Sequence, residues 1–274
     1  MTISENVPLR HWKSRPAAAV EGQLTVSESA SSEDLHRLLE SLAQEDCAHS
    51  WRNFTPDGTV AQLLEWENSR RPTKLFFFYL HEGGTTHLVA ASAVADRLNK
   101  TFPHTGFPVL GRCCILPEYR SRGFYRPVLE HRLEYCRAQY GSALNAIHIG
   151  AVNERISRVI TDHGLPGWPR FIHMGEEALN VAGHIRHVGA YLLLMPHYLQ
   201  RMLEVLDGVD APAPVIAMRN ALAKAENDDT HNLGLLIKDK YAEARQTGWF
   251  DTRSAQDIEQ LLLFCESVPV VGFR

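Results

Sequence analysis

The chain has 274 residues, 45% of them hydrophobic and 22% charged, with a formal net charge of −4 at pH 7. These are the values of a folded globular protein with room for one large domain, or one domain with an appendage; they exclude collagen-like, disordered and membrane-embedded classes. The negative balance gives no global field for a nucleic-acid backbone or an anionic membrane, so nucleic acid is not expected as a partner.

Five cysteines, Cys47, Cys113, Cys114, Cys136 and Cys265, contain no C-x-x-C pair, and their odd number leaves at least one outside any disulfide scheme. Reduced thiols and a cytoplasmic setting are the expectation. The opening Met1-Thr2-Ile3-Ser4-Glu5-Asn6 carries an acid and no apolar segment, unlike a secretory signal. No uninterrupted apolar run reaches the roughly 20 residues that a membrane span requires.

Residues 1–21 mix polar groups with Pro8, Pro16 and a short alanine run, and read as a loosely held arm. Gln23 to Ser27 alternates as a strand. Ser31-Ser32-Glu33-Asp34 then offers a hydroxyl cap and acids for a helix carrying Leu35, Leu38, Leu39 and Leu42 at helical spacing. A second helix is predicted over Val60 to Ser69. Lys74 to Leu80 and His87 to Val94 form a hairpin about the turn Glu82-Gly83-Gly84, and a further strand spans Val109 to Leu116. A helix from about Phe124 to Tyr140, a strand at Leu144 to Val152, a helix at Glu154 to His163, and strands at Phe171 to Gly175 and Val188 to Met195 complete the series.

Runs of strands interspersed with a few helices predict an α+β protein with a mixed, mostly antiparallel sheet flanked by helices, not a repeated βαβ array. Past Met195 the pattern turns helical, at Tyr198 to Leu206, Val215 to Ala225, Leu233 to Arg245 and Ala255 to Val268. The expected organisation is an arm over 1–21, a catalytic or binding domain over 22–195 and a helical extension over 196–274, packed on the sheet or presenting a partner surface.

The chemistry concentrates in Gly111-Arg112-Cys113-Cys114-Ile115-Leu116-Pro117-Glu118-Tyr119-Arg120-Ser121-Arg122-Gly123-Phe124-Tyr125. Pro117 ends a strand and a helix begins near Gly123, so the backbone N–H groups of residues 121 to 125 lack helical acceptors. Together with the positive end of the helix dipole they suit a diphosphate. Gly123 lets the backbone approach a ligand, and Arg120, Arg122 and Arg126 add charge around the same point.

Ile115-Leu116-Pro117-Glu118-Tyr119-Arg120-Ser121-Arg122-Gly123 resembles the V-x-P-x-Y-R-x-x-G-x-G/A signature of the GNAT acyltransferases, whose turn binds the pyrophosphate of coenzyme A. Asn153, eleven residues before Gly164-Leu165, is similar to the asparagine of that family's second motif, which helps hold the pantetheine arm. The resemblance spans roughly residues 22 to 195 in element order and is motif-level between Pro117 and Gly164. Tyr125 stands where the family usually has Gly or Ala, Ile160 where a tyrosine often protonates the departing thiolate, and Leu165 where an aromatic is usual. Gly111 to Arg120 is also similar to the G-R-L-A-V-x-P-E-Y-R segment of long-chain N-acyl amino acid synthases, relatives of acyl-homoserine lactone synthases.

The resemblance implies an N-acyltransferase that moves an acyl group from acyl-CoA, or from an acyl carrier protein, to the amine of a small molecule such as an amino acid. It implies a GNAT-like fold, a backbone N–H near Ile115 facing the thioester carbonyl, and a cofactor site made of Ile115, Arg120, Ser121, Arg122, Gly123, Phe124, Tyr125, Arg126 and Asn153. The lost tyrosine at Ile160 leaves open a module that binds acyl-CoA without turning it over. Candidates for the base that deprotonates the amine are His148, on a strand and with a suitable intrinsic pKa, and Glu118, beside the phosphate turn. Glu176 and Glu177 follow a strand that borders the acceptor side. Cys113 or Cys114 is an acyl-enzyme candidate whose simpler reading is a small core residue.

The helix bearing Arg122, Arg126, Arg132 and Arg137 offers a surface for an acidic carrier protein, or is simply a solvated face. His184 with His187, and Asp228, Asp229 and His231, lack a third ligand at metal spacing and are read as polar turns, so no metal is expected. The Met and Leu stripes of the C-terminal helices read as core rather than as an acyl tunnel.

Overall fold

The computed structural model describes residues 5–6, 22–43, 73–96, 107–151, 154–161, 165–181, 184–224 and 233–253. The chain divides into two compact units, Met1–Leu98 with Pro108–Gly141, and Asn99–Phe107 with Ser142–Arg274. Both are antiparallel strands with helices packed on them, so the class is α+β, in agreement with the order of elements read from the sequence.

In the first unit the strands β1 (Glu5–Asn6), β2 (Gln23–Ser27), β3 (Thr73–Glu82), β4 (Thr85–Asp96) and β5 (Pro108–Ile115) pair in chain order, every pair antiparallel. The expected loose arm therefore contributes a short strand, with Glu5 opposite Val26 and Asn6 opposite Thr25. Helix α1 (Ser32–Ala43) starts where the hydroxyl cap was expected: the Asp34 N–H donates to Ser31 Oγ at 3.0 Å, satisfying an orphan donor. Leu35, Leu38 and Leu39 are its buried stripe. The hairpin turns on Gly83 and Gly84, whose φ of 58° and 81° suit the two-residue loop that matches strand twist. Helix α2 (Tyr125–Tyr140) packs on β4 and β5, burying Val128, Leu129, Leu133 and Cys136.

In the second unit β6 (Ala146–Ala151), β7 (Phe171–Val181) and β8 (His184–Leu194) pair in the order β6-β8-β7. Helices α3 (Glu154–Thr161), α4 (Pro196–Val205), α5 (Ala213–Lys224) and α6 (Leu233–Arg245) belong to the same unit. One apolar cluster joins Ile172 and Met174 of β7 and Ala190, Leu192 and Leu194 of β8 to Met202 of α4, Met218 and Leu222 of α5 and Ile237 of α6. The Met and Leu stripes are thus core.

β7 and β8 form a hairpin longer than the sequence indicated, so Glu176 and Glu177 lie within β7 rather than after it, and His184 and His187 lie on β8 rather than in a turn. The local polarity of Glu176-Glu177 and of His184 to His187 concealed strand ends that cross-strand pairing stabilises. The helices expected at Val60 to Ser69 and at Ala255 to Val268, and the cluster Asp228, Asp229 and His231, lie outside the described residues.

Candidate functional site

β5 ends at Ile115, and Pro117, unable to donate to a ladder, opens a single 3-10 turn over Pro117–Tyr119. The turn is pinned by three backbone bonds: Leu116 N–H to Val89 O at 3.0 Å, Tyr119 N–H to Leu116 O at 2.9 Å and Arg120 N–H to Pro117 O at 3.2 Å. The chain then reverses through Ser121, φ 62°, and Gly123, φ 86°, before Phe124 enters the helical region and α2 begins at Tyr125. The helix, Tyr125–Tyr140, agrees with the span expected from about Phe124 to Tyr140. Ser121 is the non-glycine residue with positive φ among those described. Such a conformation is uncommon outside glycine and marks a turn held by its surroundings.

The consequence is a row of open donors. No described group accepts from the N–H of Ser121, Arg122, Gly123, Phe124 or Tyr125, and Phe124 caps α2 with no side-chain hydrogen bond. These donors sit at the positive end of a 16-residue helix, the arrangement that holds phosphate groups. A Cβ built on Gly123 would meet no atom within 4 Å, so the space above the turn is open. Pro127, in the first turn of α2, removes a donor that has no helical partner in any case.

The three arginines do not project freely. Arg120 Nε donates to the Ile115 carbonyl at 2.9 Å and locks the turn onto the end of β5. Arg122 lies 3.6 Å from Glu82 Oε2, with its guanidinium over the rings of Tyr119 at 5.5 Å and Phe124 at 5.7 Å. Arg126 Nε pairs with Glu130 at 3.1 Å. The positive charge is thus held around the open amides rather than waving in solvent. Because Leu116 and Val89 share a ladder hydrogen bond, the alternation of an antiparallel pair makes Ile115 and Ala90 a non-hydrogen-bonded pair. The Ile115 N–H consequently points away from β4.

Of the acid–base candidates, Glu118 is exposed and engaged by the Arg37 guanidinium. His148 is half-buried on β6, opposite Leu192. Asn153 and Gly164 lie outside the described residues. Ile160 is buried in α3, and Leu165 is buried as well. Burial pushes the Cys113 thiol above its ordinary value near 9 against the pull of the Arg132 charge, so it is held as a thiol and not as a nucleophilic thiolate. Cys114 is buried core.

Arg132 is where the sequence reading fails. The sequence places it with Arg122, Arg126 and Arg137 on a surface for a carrier protein or a solvated face, yet it is completely buried. Its spacing from Val128, Leu129 and Cys136 is the available signal, since residues three and four apart share a helix face. Arg137, in contrast, is exposed and pairs with Glu134 at 3.0 Å.

Fold and site together define an α+β protein whose strand-to-helix turn carries N–H groups that no described group accepts. No protein-family model matches the chain, and no curated protein matches its sequence. Among solved structures it is similar to the spermidine N-acetyltransferase from Vibrio cholerae in complex with CoA and spermine, at 19% identity over 64% of this chain and 98% of that one, TM-score 0.44. It is also similar to RimL, a ribosomal L7/L12 alpha-N-protein acetyltransferase in complex with coenzyme A, at 11% identity over 66% and 97%, TM-score 0.44. A likeness to mutant forms of the Vibrio cholerae spermidine/spermine N-acetyltransferase SpeG has 18% identity over 65% and 97%, TM-score 0.45. Among the described residues, no cluster of three or more His, Cys, Asp or Glu could hold a metal ion, and no helix is long and apolar enough to cross a membrane.

Proposed function

We propose that the chain is an N-acyltransferase of GNAT type that binds the diphosphate of acyl-CoA at Ser121 to Tyr125 and transfers the acyl group to the amine of a small molecule such as an amino acid. The observation that carries this reading is the row of unpartnered N–H groups at the start of α2, beneath open space at Gly123. A phosphate oxygen accepts several such donors at once, and each charge-assisted bond is stronger than a neutral one. Arg120, Arg122 and Arg126 raise the local potential while staying fixed by their own partners. Acyl-CoA supplies the activated thioester; the chain positions it and directs the Ile115 N–H to the acyl carbonyl, where such a donor contributes about 3 kcal/mol to transition-state stabilisation.

Amide formation joins the acceptor nitrogen to the acyl carbon, breaks the carbon–sulfur bond and releases one proton from the amine. His148 is the preferred base, because Glu118 is already committed to Arg37. Asn153 is assigned to the pantetheine arm. The donor is acyl-CoA or an acyl carrier protein, and the setting is cytoplasmic. Titration with coenzyme A, followed by thiol release from acetyl-CoA and long-chain acyl-CoA with a panel of amines, tests the reading; absence of coenzyme A binding overturns it.

A second reading has one observation behind it. Ile160, buried and apolar, stands where the resemblance places a proton-donating tyrosine. A protein that binds acyl-CoA and releases no thiol with any acceptor is then a sensor of acyl-CoA and not an enzyme.

A further inference from the structure

Among the described residues the buried polar side chains are Ser92 and Arg132, and both lie in the first unit. Ser92 sits opposite Phe76 in the β3/β4 register, and the Phe76 ring meets His131 at 4.9 Å and Tyr135 at 5.0 Å, both on α2. Residues directly across an antiparallel pair share a face, so Ser92 faces α2. It also occupies the irregularity between Ala91 and Ala93, where β5 places Arg112 and Cys113 opposite it. The α2 side of these strands is therefore not a wholly apolar packing surface.

Arg132 reaches into this layer. Its Nε makes one long bond, 3.4 Å, to the Val128 carbonyl, while both terminal nitrogens are buried and make no well-formed hydrogen bond to a described residue. It forms no ion pair with any described carboxylate. Its charge acts on the Cys113 thiol and the Tyr125 hydroxyl, both of which burial holds in their neutral forms. Among the described residues no carboxylate therefore compensates the charge.

Its direction adds a second penalty. Helical side chains lean toward the N-terminus of their helix, and the bond from Arg132 Nε to the Val128 carbonyl, one turn toward the start of α2, shows Arg132 doing so. A buried cation near the positive end of a helix dipole is in the wrong place electrostatically. An anion at that end of the helix would make the placement favourable, and the N–H groups of Ser121 to Tyr125, which no described group accepts, lie there.

We propose that Arg132 is a positioning charge for the anion turn, a buried guanidinium aimed from within α2 at the helix end where a diphosphate is held. It acts through the protein interior without touching solvent, raising the potential at the open amides. The arrangement is unfavourable in the empty protein and is relieved when the anion binds, so part of the anion affinity is stored as strain in the free chain. This inference rests on the diphosphate reading of the turn.

The test compares wild type with R132M, R132Q and R132K by calorimetric titration of coenzyme A and of inorganic pyrophosphate, which carries the charged linkage alone, and by thermal melting without ligand. R132M should melt at or above the wild-type temperature and bind both probes about tenfold more weakly, with R132K within about threefold of wild type. R132Q, neutral but able to keep the Val128 contact, gives the same reading should R132M not fold. Neutral variants that bind both probes as wild type does overturn the inference and leave the turn standing. So does R132K if it is as weak as R132M while both melt lower, which marks a packing role. A wild-type protein that binds neither probe removes the diphosphate reading itself and the inference with it.

Discussion

The two units differ in the polar residues that they bury whole. In the second, β7 and β8 meet α4, α5 and α6 through a cluster in which Met174, Met202, Met218, Leu222, Leu233 and Ile237 are all completely buried. In the first, the layer under α2 contains Ser92 and Arg132, with polar atoms that no described residue satisfies, and the turn leading into α2 has five consecutive N–H groups that no described group accepts. An unpaired buried polar group costs about 1–3 kcal/mol, so a fold tolerates such a concentration where another gain offsets it. The contrast is one of degree: polar atoms of His148, His173, Trp249 and Arg253 are buried in the second unit as well, but among the described residues the polar side chains buried whole, Ser92 and Arg132, both belong to the first.

Leu222→Ala gives the largest expected effect on that contrast. Removing a completely buried leucine from the closed core should cost about 2–5 kcal/mol in urea unfolding, while the coenzyme A affinity of the folded fraction stays unchanged. A parallel loss of affinity would show that the second unit's core shapes the anion turn. Gly123→Val is the converse. A branched side chain at φ 86° should cost about 1–3 kcal/mol through backbone strain, with no clash, since a Cβ there meets nothing within 4 Å. The same open space is where the ligand must come, so coenzyme A binding should fall below detection. Retained binding would remove the turn from the site.

The degree to which these features were legible in the sequence follows from how local their causes are. The helix spanning Leu233–Arg245 was read to the residue, because its apolar spacing and its bounding polar stretches are local signals. The turn after Pro117 was legible for the same reason: a missing amide and a glycine act on their own neighbours. Glu176 and Glu177 were read outside β7 because a strand end is set by its partner, here Gly189 and Val188 of β8, and not by its own residues. The β1 strand escaped notice on the same ground, since two residues pairing with β2 carry no periodicity. Arg132 was misplaced because charge was given more weight than helical spacing. That weight is sound for most arginines, and Arg132, completely buried, is an exception.

Smaller effects sharpen the comparison within the first unit. Burial holds the Cys113 thiol above its ordinary value near 9, so the folded chain keeps this proton at a pH where the unfolded chain has begun to lose it. Stability must then fall as pH rises from about 9 toward the raised value, because the unfolded state binds fewer protons there. Cys113→Ser should flatten that alkaline decline between pH 9 and 10 relative to wild type, measured by chemical unfolding across the range. The window stops at 10 because burial also raises the Tyr79 and Tyr125 phenols, whose own contribution begins there. An unchanged slope would mean the thiol is already in contact with water.

Glu118→Gln should have the smallest effect on stability and the most informative one on rate. The Glu118–Arg37 pair has both side chains more than two-fifths exposed, and such pairs contribute about 0–1 kcal/mol, so the unfolding midpoint should barely move. A carboxylate already engaged by a guanidinium is poorly placed to take a proton from an incoming amine, and turnover with a responsive acceptor should therefore persist in the variant. His148→Ala should instead lower the rate by about a hundredfold or more at neutral pH, the contribution typical of a positioned general base. The reverse pattern, with Glu118→Gln about a hundredfold slower and His148→Ala near wild type, would transfer the base from His148 to the edge of the anion turn and make the Arg37 contact a latch that opens when donor binds.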